Sequence, residues 1–159
     1  MFNFLKKTPK VINIYSPLDG EILPLAASPD AAFAQGMMGE GICINPTQDT
    51  LYSPFDCEVN IFHTLHAIGC NDGTIEAIVH IGMNTVQLNG EGFKALAPLQ
   101  GAVKNQTPLI SFDKEALLSK VSTLITPVIV VEKPENATLQ IIKNSGTVKA
   151  GELIMQVTL

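Results

Sequence analysis

The chain has 159 residues, 46% of them hydrophobic and 16% charged, with a formal net charge of −5. That is enough apolar material for one domain with a real core, and it excludes a disordered chain. The ten lysines and arginines are scattered, so nucleic acid is excluded as a partner, and no apolar run approaches the roughly 20 residues of a membrane span.

Short strand signals dominate the chain order. Residues 1–10 read as a short N-terminal tail, and Met1 to Lys7 is too short for a signal peptide. Val11–Tyr15, Gly41–Asn45, Cys57–Phe62, Ile75–Ile81, Pro127–Glu132 and Ala137–Ile142 are rich in Val, Ile and Phe, with turn residues between them. Such spacing predicts an all-β, antiparallel β-sandwich or barrel-like fold with a few short helices, as a single domain over residues 11–159. The helices are expected at Asp30–Gln35, Glu91–Ala97 and Asp113–Lys120, the last with Asp113 as N-cap and Leu117 and Leu118 facing inward. Ser16-Pro17-Leu18-Asp19-Gly20-Glu21-Ile22 and Ser53-Pro54-Phe55-Asp56-Cys57-Glu58-Val59 share Ser, Pro, Asp and Glu at matching places. Gln100-Gly101-Ala102-Val103-Lys104 is echoed by Ser145-Gly146-Thr147-Val148-Lys149, which predicts a duplicated β-motif. Cys43, Cys57 and Cys70 lack C-x-x-C spacing and read as small core hydrophobes of a reducing cytoplasm.

His80 sits in the middle of the apolar stretch Ile75–Met83, and His66 lies fourteen residues upstream across Asn71-Asp72-Gly73, a turn signal. Alternation puts Glu76, Ile78, His80 and Gly82 on one strand face, and Phe62, Thr64, His66 and Ile68 on one face of the preceding strand. A three-residue loop would pair Cys70 with Thr74, His66 with Ile78 and Thr64 with His80, leaving the histidines diagonal at about 7–8 Å. Two imidazoles on an apolar patch suit a nucleophilic nitrogen or a metal site. His63 precedes His66 by three, which places it on the opposite face of a strand. The remaining pair falls short of the three protein ligands of a catalytic zinc, although a partner's carboxylate would complete a site at His66 and His80. An imidazole whose one nitrogen donates to a backbone carbonyl keeps the other free to attack phosphorus. The Gly-Glu-Gly pieces, 39–41 and 90–92, lack the strand-to-helix context of a phosphate loop.

Val79-His80-Ile81-Gly82-Met83-Asn84-Thr85-Val86 followed by Leu88-Asn89-Gly90-Glu91-Gly92-Phe93 resembles the signature of glucose-class enzyme IIA of the bacterial phosphoenolpyruvate-dependent sugar phosphotransferase system. Ser16–Ile22, Pro29–Ala34, Met38–Gly41, Thr64–Ala67, Thr126–Val128 and Ser145–Gly151 extend the resemblance over nearly the whole chain. The resemblance implies a cytoplasmic phosphocarrier and phosphotransferase, with an antiparallel sandwich built on a duplicated motif. His80 would take a phosphoryl group on Nε2 from HPr and pass it to a cysteine on the IIB domain of a sugar permease. His66 would bind phosphoryl oxygens, Thr64 would orient His66, and the Gly82 carbonyl would hold the His80 tautomer. No cofactor is implied beyond a zinc completed by a partner. The implied docking disc includes Asp30, Phe33, Met37, Met38, Phe62, Ile68, Ile78 and Val86, on a monomer with a transient interface under about 1,200 Å².

The chain departs from the family pattern at Asn84 and Gln87, where acids are usual, and at Thr74, where the family's glycine usually stands. Fewer acids would weaken attraction to a basic HPr or suit a differently charged partner. A regulatory module, docking permeases or metabolic kinases and switched by phosphorylation of His80, is the alternative from another class. A metal-dependent hydrolase is disfavoured for want of a third ligand.

Overall fold

Alternating apolar and polar residues build fourteen strands among residues 9–159, the residues described by the computed structural model. Residues 1–8 of the expected N-terminal tail lie outside them. The strands are β1 (Val11–Tyr15), β2 (Gly20–Pro24), β3 (Glu40–Pro46), β4 (Thr50–Tyr52), β5 (Cys57–Ile61), β6 (Ala67–Asn71) and β7 (Glu76–His80). They continue as β8 (Phe93–Ala95), β9 (Gln100–Val103), β10 (Pro108–Phe112), β11 (Thr126–Glu132), β12 (Thr138–Ile141), β13 (Gly146–Val148) and β14 (Leu153–Thr158). Two short helices interrupt them, α1 (Ala31–Ala34) and α2 (Lys114–Leu118).

All pairings are antiparallel. One eight-stranded sheet runs β13-β2-β3-β11-β7-β6-β5-β9, and two three-stranded sheets run β1-β14-β12 and β4-β10-β8. The sheets do not close, and the architecture is an antiparallel β-sandwich. Its main core gathers residues such as Ile14, Leu51, Ile110, Val128 and Ile154. At the sheet centre Val128 and Val79 are paired and fully buried, each contributing about 1.5–3 kcal/mol. The opposite face of the same strands carries Ile78 and Ile129, which join Phe33 of α1 and Met83 in a separate small cluster. The period of two thus gives β7 a core face and a site face.

The duplication is visible bond by bond. Ser16 and Ser53 are both fully buried, and their hydroxyls donate to the carbonyls of Leu18 at 2.6 Å and Phe55 at 2.8 Å. The Asp19 carboxylate accepts from Ala150 N–H and the Asp56 carboxylate from Asn105 N–H, each at 2.7 Å. Tyr15 N–H donates to the Pro54 carbonyl and Tyr52 N–H to that of Pro17, each at 2.9 Å, so each repeat clasps the other. β2 pairs with β13 as β5 pairs with β9, and the order of the large sheet is a palindrome of the two repeats.

Two expected local features differ. Glu91–Ala97 is not helical: Gly90 and Gly92 take φ of +88° and +89°, which ends any helix, and Phe93–Ala95 pairs with β10. In α2 the Asp113 carboxylate accepts from Ala116 N–H at 3.0 Å as an N-cap, but only Leu117 is buried, and Leu118 faces solvent. All three cysteines are buried and free.

Candidate functional site

β7 alternates half-buried and buried side chains, so its last residue, His80, emerges on the site face beside Ile78. Two residues on, the chain turns sharply. Gly82 has φ of +70°, and a Cβ there would stand 2.9 Å from the Thr123 carbonyl oxygen. The turn brings the Gly82 carbonyl back to His80 Nδ1 at 2.8 Å. A carbonyl can only accept, so Nδ1 carries the proton, and Nε2 of the neutral ring keeps its lone pair.

His66 reaches this ring by a route that differs from the expected register. The β6–β7 hairpin pairs Asn71 with Glu76, Ile68 with Val79 and Ala67 with His80. The loop has four residues, not three, because the Asp72 carboxylate accepts from both Thr74 and Ile75 N–H at 2.8 Å. Ile75 is thereby drawn into the core. His66 then lies just before the start of β6, in the turn joining β5 to β6, rather than on a strand opposite Ile78. Phe62 N–H donates to the Ala67 carbonyl at 3.0 Å, Leu65 has φ of +61°, and Leu65 N–H donates to the Phe62 carbonyl at 2.7 Å. This turn carries Thr64 away from its expected place opposite His80 and sets its hydroxyl 2.7 Å from His66 Nδ1. The His66 carbonyl accepts from Ile81 N–H at 2.7 Å, locking the turn to the end of β7. The two imidazoles meet edge to face, with centroids 4.8 Å apart.

Aromatic rings flank the pair. Phe33 lies 5.4 Å from His80 by centroid, and Phe62 meets His66 edge-on at 5.8 Å. Burial lowers the pKa of His80 and, with the neighbouring His80 and His63, pushes that of His66 down to about 4. The Gly82 carbonyl works the other way at His80 by favouring its charged form, and burial outweighs it. His66 is therefore uncharged at neutral pH. Each ring has one nitrogen held by a protein group, the usual second support of a metal ligand. Two nitrogens remain, and among the described residues no cluster of three or more His, Cys, Asp and Glu could hold a metal ion.

The apolar surroundings sort into three kinds. Met37, Met38 and Val86 are exposed by 74%, 46% and 47%, an unusual display for such side chains. Phe33, Phe62 and Ile78 pack around the rings and are buried or half-buried. Ile68 is not on this surface: its partner is Val79, its side chain faces the main core, and it is fully buried. Asp30 sits at the rim as the N-cap of α1, accepting from Ala32 N–H at 2.8 Å. Sequence patterning overlooks Thr85, which is fully buried and donates its hydroxyl to the Ile81 carbonyl at 2.6 Å. The signal for it is Asn84-Thr85, a left-handed residue followed by a small hydroxyl at a helical turn.

Similarity to known proteins agrees with this geometry. Residues 12–136 match the family described as phosphoenolpyruvate-dependent sugar phosphotransferase system, EIIA 1. The chain is 38% identical to the PTS system glucose-specific EIIA component of Staphylococcus epidermidis, over 99% of this chain and 96% of that protein. It is also 38% identical to the protein of the same name in Staphylococcus aureus, over 100% and 97% of the two chains. The solved structure of glucose permease IIA from Mycoplasma capricolum superposes with a TM-score of 0.87 at 30% identity, covering 98% of this chain and 99% of that one. A sandwich with a duplicated motif, a paired-histidine site and full-length similarity together establish that the chain belongs to the EIIA 1 family of the phosphoenolpyruvate-dependent sugar phosphotransferase system.

Proposed function

We propose that the protein is the glucose-type IIA phosphocarrier of its phosphotransferase system, working in the cytoplasm between HPr and the IIB domain of a sugar permease. The observation that carries this reading is the bond from His80 Nδ1 to the Gly82 carbonyl, beside a second imidazole 4.8 Å away. The His80 Nε2 lone pair attacks the phosphorus of phospho-HPr; the Nε2–P bond forms as the bond from phosphorus to HPr breaks, and that electron pair leaves with HPr. A thiolate of the IIB domain then attacks the same phosphorus, and the departing pair returns to Nε2. Catalysis is mostly positioning and charge stabilisation, because both transfers are in-line displacements between side chains already held together.

His66 serves this chemistry as a neutral donor. With the Thr64 hydroxyl donating to its Nδ1, His66 keeps its proton on Nε2, where it can bond a phosphoryl oxygen. A positively charged His66 would also attract the phosphoryl group and would slow its departure. The low His66 pKa supports reversible transfer in both directions. No cofactor enters these steps. Zinc at His66 and His80 would require further ligands from a partner, and no step depends on it. Exposed Met37, Met38 and Val86 suit a docking disc that meets more than one partner briefly.

The test is transfer of labelled phosphate from phosphoenolpyruvate through enzyme I and HPr. Wild type should take acid-labile label, His80→Ala should take none, and His66→Gln should accept label and pass it on poorly. An unlabelled wild type with a competent cognate HPr would overturn the proposal.

A further inference from the structure

We infer that Thr85 is a positioning residue for His80, setting the tautomer of a ring it does not touch. The geometry of three consecutive residues carries this role, and only its effect on rate rests on the phosphocarrier reading. His80, Ile81 and Gly82 form a short clamp. Ile81 N–H is held by the His66 carbonyl at 2.7 Å, and the Ile81 carbonyl is held by the Thr85 hydroxyl at 2.6 Å. With its N–H and its carbonyl both fixed, Ile81 has little freedom, and the peptide plane leading into Gly82 is set. From that plane, the left-handed φ of Gly82 directs the next carbonyl back to His80 Nδ1.

Three further contacts show that this is a built arrangement. Met83 N–H reaches the Thr123 carbonyl at 3.3 Å, which anchors the far side of Gly82. The Thr85 γ-methyl closes the space over Gly82, at 3.1 Å from where a Cβ would stand. Thr85 is fully buried, and its hydroxyl has no solvent to turn to if the bond is lost. No capping side chain supports the turn from Asn84, and the Thr85 bond ties this turn to Ile81, the residue that follows β7.

Without the hydroxyl, the Ile81 carbonyl is buried and unsatisfied, and the peptide plane is free to rotate toward another donor. The Gly82 carbonyl then moves off Nδ1, and the ring redistributes its proton between its two nitrogens. Every molecule with the proton on Nε2 lacks the lone pair needed to accept a phosphoryl group.

The experiment uses the full chain with 15N-labelled histidine. Long-range proton–nitrogen correlation at a pH where both rings are neutral reads which His80 nitrogen carries the proton. Wild type should show Nδ1 protonated. Thr85→Val, nearly isosteric, should show a mixed tautomer signature, with phosphoryl acceptance lowered about tenfold, the scale of one hydrogen bond. Thr85→Ser, which restores the hydroxyl, should recover both readouts. Should Thr85→Val fail to fold, Thr85→Ala takes its place with the same expectation. A wild-type tautomer signature in the folded hydroxyl-less variant overturns the inference, whatever happens to stability or rate. Loss of label on wild type itself would overturn the carrier reading, and the ring signature would still decide the role of Thr85.

Discussion

Acid should destabilise this protein through His66 in a way that His66→Gln abolishes. The unfolded chain binds a proton at His66 near the ordinary value of 6.5, whereas burial and the two neighbouring histidines hold the folded value at about 4. The unfolded state therefore takes the proton first. The contribution is fully present above about pH 6.5, is lost as pH falls from there to about 4, and changes no further below. A difference of about 2.5 units at about 1.36 kcal/mol each gives roughly 3 kcal/mol. His80 is shifted in the same direction, but it is present in wild type and variant alike. Urea unfolding at several pH values, followed by circular dichroism, isolates the term as the difference between the two proteins. Wild type should lose about 3 kcal/mol more than His66→Gln between neutral pH and pH 4. A difference that stays constant across that range would refute the burial of an uncharged His66.

Gly82→Ala should cost about 1–3 kcal/mol in urea unfolding, since a Cβ at φ of +70° meets the Thr123 carbonyl, and it should slow labelling by moving the carbonyl that holds His80. Thr64→Val should leave the circular dichroism spectrum unchanged and slow onward transfer about tenfold, because His66 Nδ1 loses the Thr64 hydroxyl; an unchanged rate would remove Thr64 from the relay. Ile68→Asp should unfold the protein at a cost of about 3–5 kcal/mol, a charge buried in the main core. Val86→Asp should fold normally and weaken docking, and native-like stability of Ile68→Asp would contradict its placement.

The two echoes in the chain were enough to anticipate the duplicated sandwich, because buried Ser16 and Ser53 build the same turn twice and leave the same letters behind. Alternation along β7 likewise predicts its core and site faces, since its period of two is uninterrupted from Glu76 to His80. Legibility fails where a side chain reshapes the backbone. Asp72 caps two amides and lengthens a hairpin loop, which changes the register by three and sends Ile68 into the core. Leu65 takes a left-handed conformation that no residue-type rule assigns to leucine, and it is part of the turn that brings Thr64 toward His66. The histidine pair was therefore foreseeable as a meeting of residues, and its geometry was not. Thr85 carries no chemistry of its own, and its burial and its bond to Ile81 are what single it out.

The most direct test is to locate the phosphorus. Phosphorylated protein, prepared with enzyme I and HPr and examined by 31P and 15N magnetic resonance, reports which ring nitrogen bears the phosphoryl group. A geometry that ties His80 Nδ1 to the Gly82 carbonyl predicts an Nε2–phosphorus bond on His80, with Nδ1 still protonated. Phosphorus on Nδ1 of His80, or on His66, would contradict it.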